Sequence, residues 1–324
     1  MSTSRVGVRI SREVPPARLT KLARQAEQAG LDELWVVEDC FYAGGIATAA
    51  TVLAATETIP VGIGVLPAVA RNPAIAAMEL ATLAELYPGR LIAGIGHGVP
   101  SWMRQIGAYP ASPLTALEET LTAIRRLLAG ERLSMDGKYV RLDEVELDYP
   151  PAVVPPVLAG VRGPKSLALS GRAADGTVLA EPAAPEYVRA ARATIDADPH
   201  TVATYNWLAL DQDPDRARDR VRKTLADSLK PSTAEHLRPM PFGEEILALI
   251  DESTGADELA ARLRPEWIDQ LTVSGDLAGC AERVRRLHEA GSASVILLPL
   301  PDEPEEDGIA AAGEVAAELR RTSR

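Results

Sequence analysis

The residues with the clearest chemical capacity in this chain fall in short segments between apolar runs. One segment, Glu38-Asp39-Cys40, places two carboxylates and a thiol in succession. Such groups could act in acid–base or nucleophilic catalysis. The alternative is that Asp39 caps a helix and that Cys40 is a small buried apolar residue. Both interpretations stay open on these residues alone.

A second candidate is His97, which lies in the glycine-rich segment Gly94-Ile95-Gly96-His97-Gly98. Its imidazole could donate a hydrogen bond or a proton. The glycines would allow close contact with a flat ligand, but the segment lacks the GxGxxG pattern of a dinucleotide-binding turn. The sequence also contains no HExxH, GxSxG or P-loop motif, so the chemistry of those motifs is not predicted.

A third segment, Arg162-Gly163-Pro164-Lys165-Ser166, is predicted to open a helix. The N-terminus of a helix offers free backbone N–H groups and a partial positive charge. Arg162, Lys165 and the Ser166 hydroxyl would add to an anion-binding site. The alternative is a plain helix N-terminus with solvated basic side chains.

The elements that must position these segments alternate between short apolar runs and helical stretches. Nearly every run is followed by a helix, which predicts parallel crossovers and an α/β fold. Eight units fit a closed (β/α)8 barrel, or TIM barrel, whose active site lies at the C-terminal strand ends. A doubly wound open sheet is the alternative. The eight predicted strands are residues 5–10, 33–37, 61–66, 91–95, 157–161, 176–180, 202–210 and 294–300.

Two stretches interrupt this alternation within what we predict to be a single domain over residues 1–324. The dipeptide Asp136-Gly137 is a hairpin signal, so residues 133–149 are predicted as a hairpin excursion. Residues 230–275, which are polar and broken by prolines, are predicted as a helical insertion. The acidic, proline-rich residues 301–307 are predicted as a surface loop.

Composition narrows the classes of function. The chain has 324 residues and a net charge of −12, which argues against nucleic-acid binding. Its two cysteines, Cys40 and Cys280, have no CxxC spacing, so neither a metal site nor a disulfide framework is expected. No signal peptide is visible in residues 1–6, and no apolar run reaches the ~20 residues that span a bilayer. We therefore expect a cytoplasmic protein without membrane contacts.

The residues 58–98 resemble the luciferase-like flavin- and deazaflavin-dependent oxidoreductases. Three motifs carry this resemblance in order: Arg71-Asn72-Pro73, Gly89-Arg90-Leu91 and the segment around His97. A further match is SGRAADGTVLA, residues 170–180. The chain looks most like the branch that uses coenzyme F420, a deazaflavin, and is similar to methylenetetrahydromethanopterin reductases. The resemblance covers most of the chain and weakens over residues 201–271.

This resemblance implies a bacterial-luciferase-like barrel that transfers a hydride between coenzyme F420 and a small organic substrate. It implies a non-prolyl cis peptide bond, Gly64–Val65, in a bulge behind the deazaflavin ring. Asp39, Cys40 and His97 become the candidate catalytic residues. The candidate cofactor-binding residues are Asp39, Gly64, Val65, Pro67, His97, Gly98 and Trp102 near the ring, and Arg162, Gly163, Lys165 and Ser166 at the phosphate.

The chain departs from the family pattern in ways that bear on substrate. Cys40 stands where several relatives have a proton-donating histidine, and Val99 stands where many have a carboxylate. Ala180 and Ala183 replace residues that grip a phosphate in sugar-phosphate dehydrogenases, so no phosphorylated sugar is expected. The rival functions are an FMN-dependent monooxygenase and a non-catalytic flavin- or deazaflavin-binding protein. Relatives of this kind are often dimers, so a homodimer is expected.

Overall fold

Eleven strands run through the part of the chain that the computed structural model describes, residues 4–322. Residues 1–3 and 323–324 of the predicted domain lie outside the described residues. The strands are β1 (Arg5–Arg9), β2 (Glu33–Val36), β3 (Val61–Pro67), β4 (Leu91–Gly96), β5 (Leu133–Asp136), β6 (Arg141–Val145), β7 (Val157–Gly160), β8 (Gly176–Leu179), β9 (Thr201–Leu210), β10 (Val273–Gly275) and β11 (Ser294–Leu298).

Helices separate these strands, and many begin with a proline at the first turn, where its missing N–H has no helical partner to lose. They are α1 (Leu19–Gln28), α2 (Gly45–Ala55), α3 (Pro73–Leu86), α4 (Pro100–Gln105), α5 (Pro113–Leu128), α6 (Pro164–Ala173), α7 (Pro185–Ile195), α8 (Pro214–Ser228), α9 (Ala234–Leu237), α10 (Gly243–Glu252), α11 (Ala256–Arg262), α12 (Pro265–Leu271), α13 (Leu277–Glu289) and α14 (Glu305–Thr322).

The predicted (β/α)8 barrel is confirmed. Eight parallel strands follow one another around the barrel as β1, β2, β3, β4, β7, β8, β9 and β11. The pairing of β8 with β9 and that of β11 with β1 complete the ring. An open doubly wound sheet would leave two unpaired edges, so that alternative is wrong.

Alternation along each strand divides the core into two parts. On β1, for example, Val6 and Val8 pack with the surrounding helices, whereas Gly7 leaves room inside the barrel for Glu33 and Ile296. The Glu33 carboxylate is fully buried there and accepts hydrogen bonds from Trp35 Nε1 at 2.9 Å and Ser294 Oγ at 2.7 Å. It also pairs with Arg5 at 2.9 Å. This network fills the end of the barrel opposite the candidate site.

The two stretches that interrupt the alternation of strands and helices contain a hairpin and a group of short helices. β5 and β6 form an antiparallel pair between α5 and β7. Residues 230–275 hold α9 to α12, and then the three-residue strand β10, which pairs with the end of β9 and was not predicted. The predicted surface loop at residues 301–307 is partly wrong, because α14 already begins at Glu305 and its acidic first turn suits a helix N-terminus. Within residues 4–322, no helix has the length and hydropathy of a membrane span.

Candidate active site

The segment that follows β2 uses its first carboxylate to hold the fold together. Glu38 Oε2 accepts a hydrogen bond from the backbone N–H of Gly45, at the start of α2, at 2.8 Å. The same oxygen pairs with Arg71 at 2.8 Å. Asn72 next to that arginine caps α3 by accepting from the N–H of Ala74. Two residues of the Arg-Asn-Pro motif therefore have a structural role beside the barrel mouth, the end of the barrel at which the parallel strands have their C-termini.

Asp39 lies at the mouth and forms an ion pair with Arg12, whose Nη1 is 3.0 Å from Asp39 Oδ2. The Arg12 guanidinium also lies over the rings of Tyr42, at 5.2 Å, and Trp102, at 6.0 Å. Burial lowers the pKa of Arg12, but hydrogen bonds to Glu13 and Asp39 outweigh it and raise the pKa overall. Arg12 thus joins the loops after three strands, and two of its partners are predicted site residues.

Arg12 itself was not selected from the sequence. It follows β1 by three residues, so the rule that active sites lie at the C-terminal strand ends could have pointed to it.

Cys40 is half-buried beside the two carboxylates. Burial raises the pKa of its thiol above the ordinary value, and the negative charges of Glu38 and Asp39 raise it further. A thiol in this setting is protonated at neutral pH, whereas a nucleophilic cysteine requires the thiolate. The geometry therefore gives no support to a nucleophilic role for Cys40.

β3 contains a bulge close to the barrel mouth. The peptide bond Gly64–Val65 is cis, as the resemblance implies, and the pairing with β4 shifts register between Ile63 and Leu66. The Val65 side chain lies against glycines of neighbouring strands: an added Cβ at Gly160 would be 2.5 Å from Val65 Cγ1, and one at Gly96 2.7 Å from Val65 Cγ2. These two glycines make room for Val65, which is a more specific role than contact with a flat ligand.

Glycines within β3 make room in the same way. An added Cβ at Gly62 would overlap the Trp35 ring, and one at Gly64 would overlap the Tyr205 hydroxyl. The two aromatic rings pack edge to face with centroids 5.8 Å apart. Of the two interpretations of these strand glycines, the structure gives direct evidence for the one that provides interior space.

His97 connects two predicted segments. Its Nε2 lies 3.0 Å from the Ser166 hydroxyl at the start of α6, so the end of β4 meets the predicted anion site. Burial lowers the pKa of His97 below its ordinary value of 6.5, with a smaller opposing contribution from the backbone of Pro113. The imidazole is therefore neutral at neutral pH. Its buried Nδ1 has no hydrogen-bond partner among the described residues.

The N-terminus of α6 has the properties of an anion site. No side chain caps the helix at Gly163, and an added Cβ there would meet nothing within 4 Å. Within residues 4–322, no carboxylate lies within 4.0 Å of the side-chain nitrogens of Arg162 or Lys165. Free N–H groups, two unpaired cations and open space therefore coincide at one place.

The loop before α6 is supported from behind by buried aromatic groups. The Tyr187 hydroxyl donates to the carbonyl of Arg162 at 3.0 Å. His236, from the helical insertion, stacks on Tyr187 with centroids 4.2 Å apart, and its Nδ1 lies 3.0 Å from the carbonyl of Pro182. Burial lowers the pKa of His236 to about 3, so this support stays neutral. No local sequence pattern predicted this support, because Arg162, Tyr187 and His236 come from distant segments.

Residues 1–294 match the family of luciferase-like monooxygenases. The chain belongs to this family. It is 28% identical over 288 residues to a 5,10-methylenetetrahydromethanopterin reductase of Archaeoglobus fulgidus, covering 84% of this chain and 86% of that one. It is 30% identical over 301 residues to an F420-dependent glucose-6-phosphate dehydrogenase of Kineococcus radiotolerans, covering 85% of each. Both relatives bear the names of oxidoreductases.

The barrel also matches a solved structure. The coenzyme F420 dependent tetrahydromethanopterin reductase from Methanopyrus kandleri superposes with a TM-score of 0.80. The match covers 98% of this chain and 99% of that chain at 20% sequence identity, so it establishes the fold. The luciferase-like fold predicted from the sequence is thus confirmed, and the protein is an oxidoreductase.

Proposed function

We propose that this luciferase-like protein binds coenzyme F420 and transfers a hydride between it and a small organic substrate. The observation that carries the proposal is the N-terminus of α6, where Arg162 and Lys165 have no carboxylate partner beside the open Gly163. Two names support this cofactor: that of the Kineococcus relative, an F420-dependent glucose-6-phosphate dehydrogenase, and that of the structurally similar coenzyme F420 dependent reductase from Methanopyrus kandleri. The bound cofactor would supply the hydride chemistry, and the protein would supply position and charge.

The residues present fit such a cofactor. Its acidic tail needs positive charge on a surface whose net charge is −12, and Arg162 and Lys165 provide it together with the N–H groups of α6. Gly64 and Val65 are only half-buried at the mouth and would face the ring system. Gly98, with φ of +73°, packs close to Pro67 and lets the loop turn beside that position.

Asp39 and His97 are the residues that we propose to hold or move a proton at the mouth. The Asp39 carboxylate is oriented by Arg12, and the neutral His97 is held through Nε2 by the Ser166 hydroxyl. Cys40 keeps its proton at neutral pH, so we propose that it contributes packing to the site.

We further propose that the substrate is not a sugar phosphate, although the relative from Kineococcus is named for one. Ala180 and Ala183 offer no charge to a phosphate, and the residue between them that carries charge is Glu181, a carboxylate. Mixing the protein with oxidised coenzyme F420 and glucose 6-phosphate should leave the cofactor absorbance unchanged. Rapid bleaching would show that this part of the proposal is wrong.

Removal of the two unpaired cations tests the function directly. Because a hydrogen bond to a charged group contributes about 1.5–3 kcal/mol, Arg162→Gln and Lys165→Gln should each weaken F420 binding about tenfold or more. Fluorescence titration would measure the dissociation constants. Arg172→Gln, at the other end of α6 and paired with Glu118 at 2.9 Å, is the matched control and should bind as the unmodified protein does. Equal affinity in all variants would contradict the proposed site.

An FMN-dependent monooxygenase is the second candidate, because the matching family is named for luciferase-like monooxygenases. The phosphate of FMN would suit the same helix N-terminus. Yellow flavin that copurifies with the protein would favour this candidate. Binding of F420 without turnover across a broad substrate panel would favour the third, a non-catalytic binding protein.

We also propose a homodimer, with small molecules as the other partners. Helix α3 exposes three large apolar side chains on one face, at i, i+3 and i+11: Ile75, Met78 and Leu86, which are 47%, 50% and 64% exposed. The loop before β7 adds Tyr149, Val153 and Val154, also exposed. A patch of this kind on a soluble fold favours contact with another protein surface.

A further inference from the structure

A cationic group that the sequence analysis did not select lies inside the barrel mouth. Arg9 ends β1, and its guanidinium lies over the rings of Tyr205, at 5.5 Å, and Trp207, at 5.6 Å. Both aromatic residues belong to β9 and are buried, with Trp207 only 8% exposed. The Arg9 side chain is 16% exposed, so it is not fully enclosed by the protein.

Two donors of this cluster lack an acceptor among the described residues. Arg9 Nε and Trp207 Nε1 are buried, and neither has a hydrogen-bond partner in residues 4–322. The nearest carboxylate to Arg9 is Glu181, whose Oε1 is 3.8 Å from Nη1, beyond a normal N–H···O distance of about 2.7–3.2 Å. Buried donors in folded proteins are nearly always satisfied, so these two point to an acceptor supplied by a ligand.

Charge decides what kind of acceptor fits. Glu181 lies close enough to balance Arg9, and Asp39 balances Arg12 at the same mouth. No net positive charge then remains at Arg9 to offset the desolvation of a carboxylate or phosphate. The unpaired cations lie instead on α6, at Arg162 and Lys165. The donors at Arg9 and Trp207 are therefore suited to a neutral oxygen.

We infer that Arg9 and Trp207 bind a neutral oxygen acceptor of the substrate, a carbonyl group, and that they determine its specificity against anionic compounds. The inference rests on the proposed function only for the role of the ligand as substrate. Glu181 takes part by cancelling the charge of Arg9. The cluster differs from the α6 site in position, in charge and in the ligand atoms it accepts.

The test follows the Trp207 indole N–H by NMR in protein labelled with 15N at tryptophan. Trp207→Phe assigns the signal by its loss and keeps an aromatic ring beneath Arg9. Cyclohexanone is the probe, cyclohexanecarboxylate the anionic comparison and methylcyclohexane the apolar one. We expect the ketone alone to shift the Trp207 signal. The signal of Trp35, whose N–H is already bonded to Glu33 at 2.9 Å, is the internal control and should stay in place.

Two variants distinguish the effect of the Arg9 hydrogen-bond donor from that of the Glu181 charge. Arg9→Met keeps the apolar stem and should weaken ketone binding about tenfold, the loss expected for one good hydrogen bond. Glu181→Gln should leave Arg9 uncompensated, so that cyclohexanecarboxylate now shifts the Trp207 signal. Circular dichroism would verify that both variants keep the fold of the unmodified protein.

Three outcomes overturn the inference: no shift with cyclohexanone up to its solubility limit, an equal shift with methylcyclohexane, or stronger binding of the carboxylate by the unmodified protein. Fluorescence titration of the same samples with coenzyme F420 keeps the two proposals separate. A Trp207 shift without F420 binding would refute the proposed function and support the acceptor site, and F420 binding without the shift would do the reverse.

Discussion

Cys40 illustrates how neighbouring residues set the chemistry of a side chain. Its thiol is half-buried and follows two carboxylates, and burial together with their charge raises its pKa above the ordinary value of 9.0. The thiolate fraction at neutral pH should therefore be smaller than for an exposed cysteine. Iodoacetamide should label Cys40 slowly at pH 7, with a rate that keeps rising beyond pH 9.

Mass spectrometry of the labelled peptides measures this rate at Cys40 itself. Cys280 is fully buried, with its pKa raised by burial to about 12, and serves as the unreactive reference. Rapid labelling of Cys40 at pH 7 would contradict the assignment of a protonated thiol and would return it to the list of nucleophiles.

At the residue scale, the sequence revealed which strand ends carry polar groups but not which groups meet. Asp39 and His97 could be selected because each follows a buried apolar run. Their partners, Arg12 and Ser166, lie beyond the ends of other strands, and no local pattern links them. Arg9 and Trp207 were not selected, because an arginine at the end of a strand and a tryptophan within a strand are each common and do not by themselves indicate a site.

At the scale of elements, the bulge of β3 is the central feature, because residues of β3, β4 and β7 pack together at the side chain of Val65. Val65 occupies space that Gly96 and Gly160 leave open. Gly160→Ala should destabilise the protein by about 1–3 kcal/mol through overpacking. In a Val65→Ala background the same substitution should cost clearly less, because the atom that it meets, Val65 Cγ1, is gone.

Urea denaturation of the four proteins of this double-mutant cycle measures the coupling. Gly44→Ala is a matched control, since an added Cβ there meets nothing within 4 Å, and its cost should be the same in both backgrounds. An equal cost of Gly160→Ala in both backgrounds would show that Val65 does not fill the space next to that glycine.

The elements themselves were largely predictable, since apolar runs followed by amphipathic stretches and bounded by glycine and proline give both type and order. The strands predicted over residues 176–180 and 202–210, for example, are found at Gly176–Leu179 and Thr201–Leu210. Short elements were not predicted: β10 has three residues and α4 has six, too few to show a hydrophobic periodicity. Their placement depends on tertiary contacts, such as the pairing of β10 with the end of β9.

For the whole molecule, the main prediction concerns assembly. A stable dimer buries about 1,200–2,000 Å² in total and has an apolar centre, for which the exposed face of α3 is suited. Charged side chains at that face should oppose association. The double variant Ile75→Glu, Met78→Glu, which places like charges on both copies of the face, should therefore sediment as a monomer, whereas the unmodified protein sediments as a dimer.

Sedimentation velocity at several concentrations distinguishes the two states. Ala317→Glu, on the exposed side of α14, adds a charge to another helix and should leave the dimer intact. A monomeric unmodified protein, or a double variant that stays dimeric, would contradict the assignment of α3 to the interface.

Titration of the purified protein with coenzyme F420 and, separately, with FMN would show whether this barrel holds a deazaflavin. Fluorescence would follow both titrations under the same conditions. The F420-dependent relative favours the deazaflavin over FMN at the anion site of Arg162, Lys165 and Gly163, so F420 should bind tightly and FMN much more weakly. Tight binding of FMN alone would contradict the claim and identify an oxygen-using monooxygenase, and binding of neither would show that the cofactor site has been misplaced.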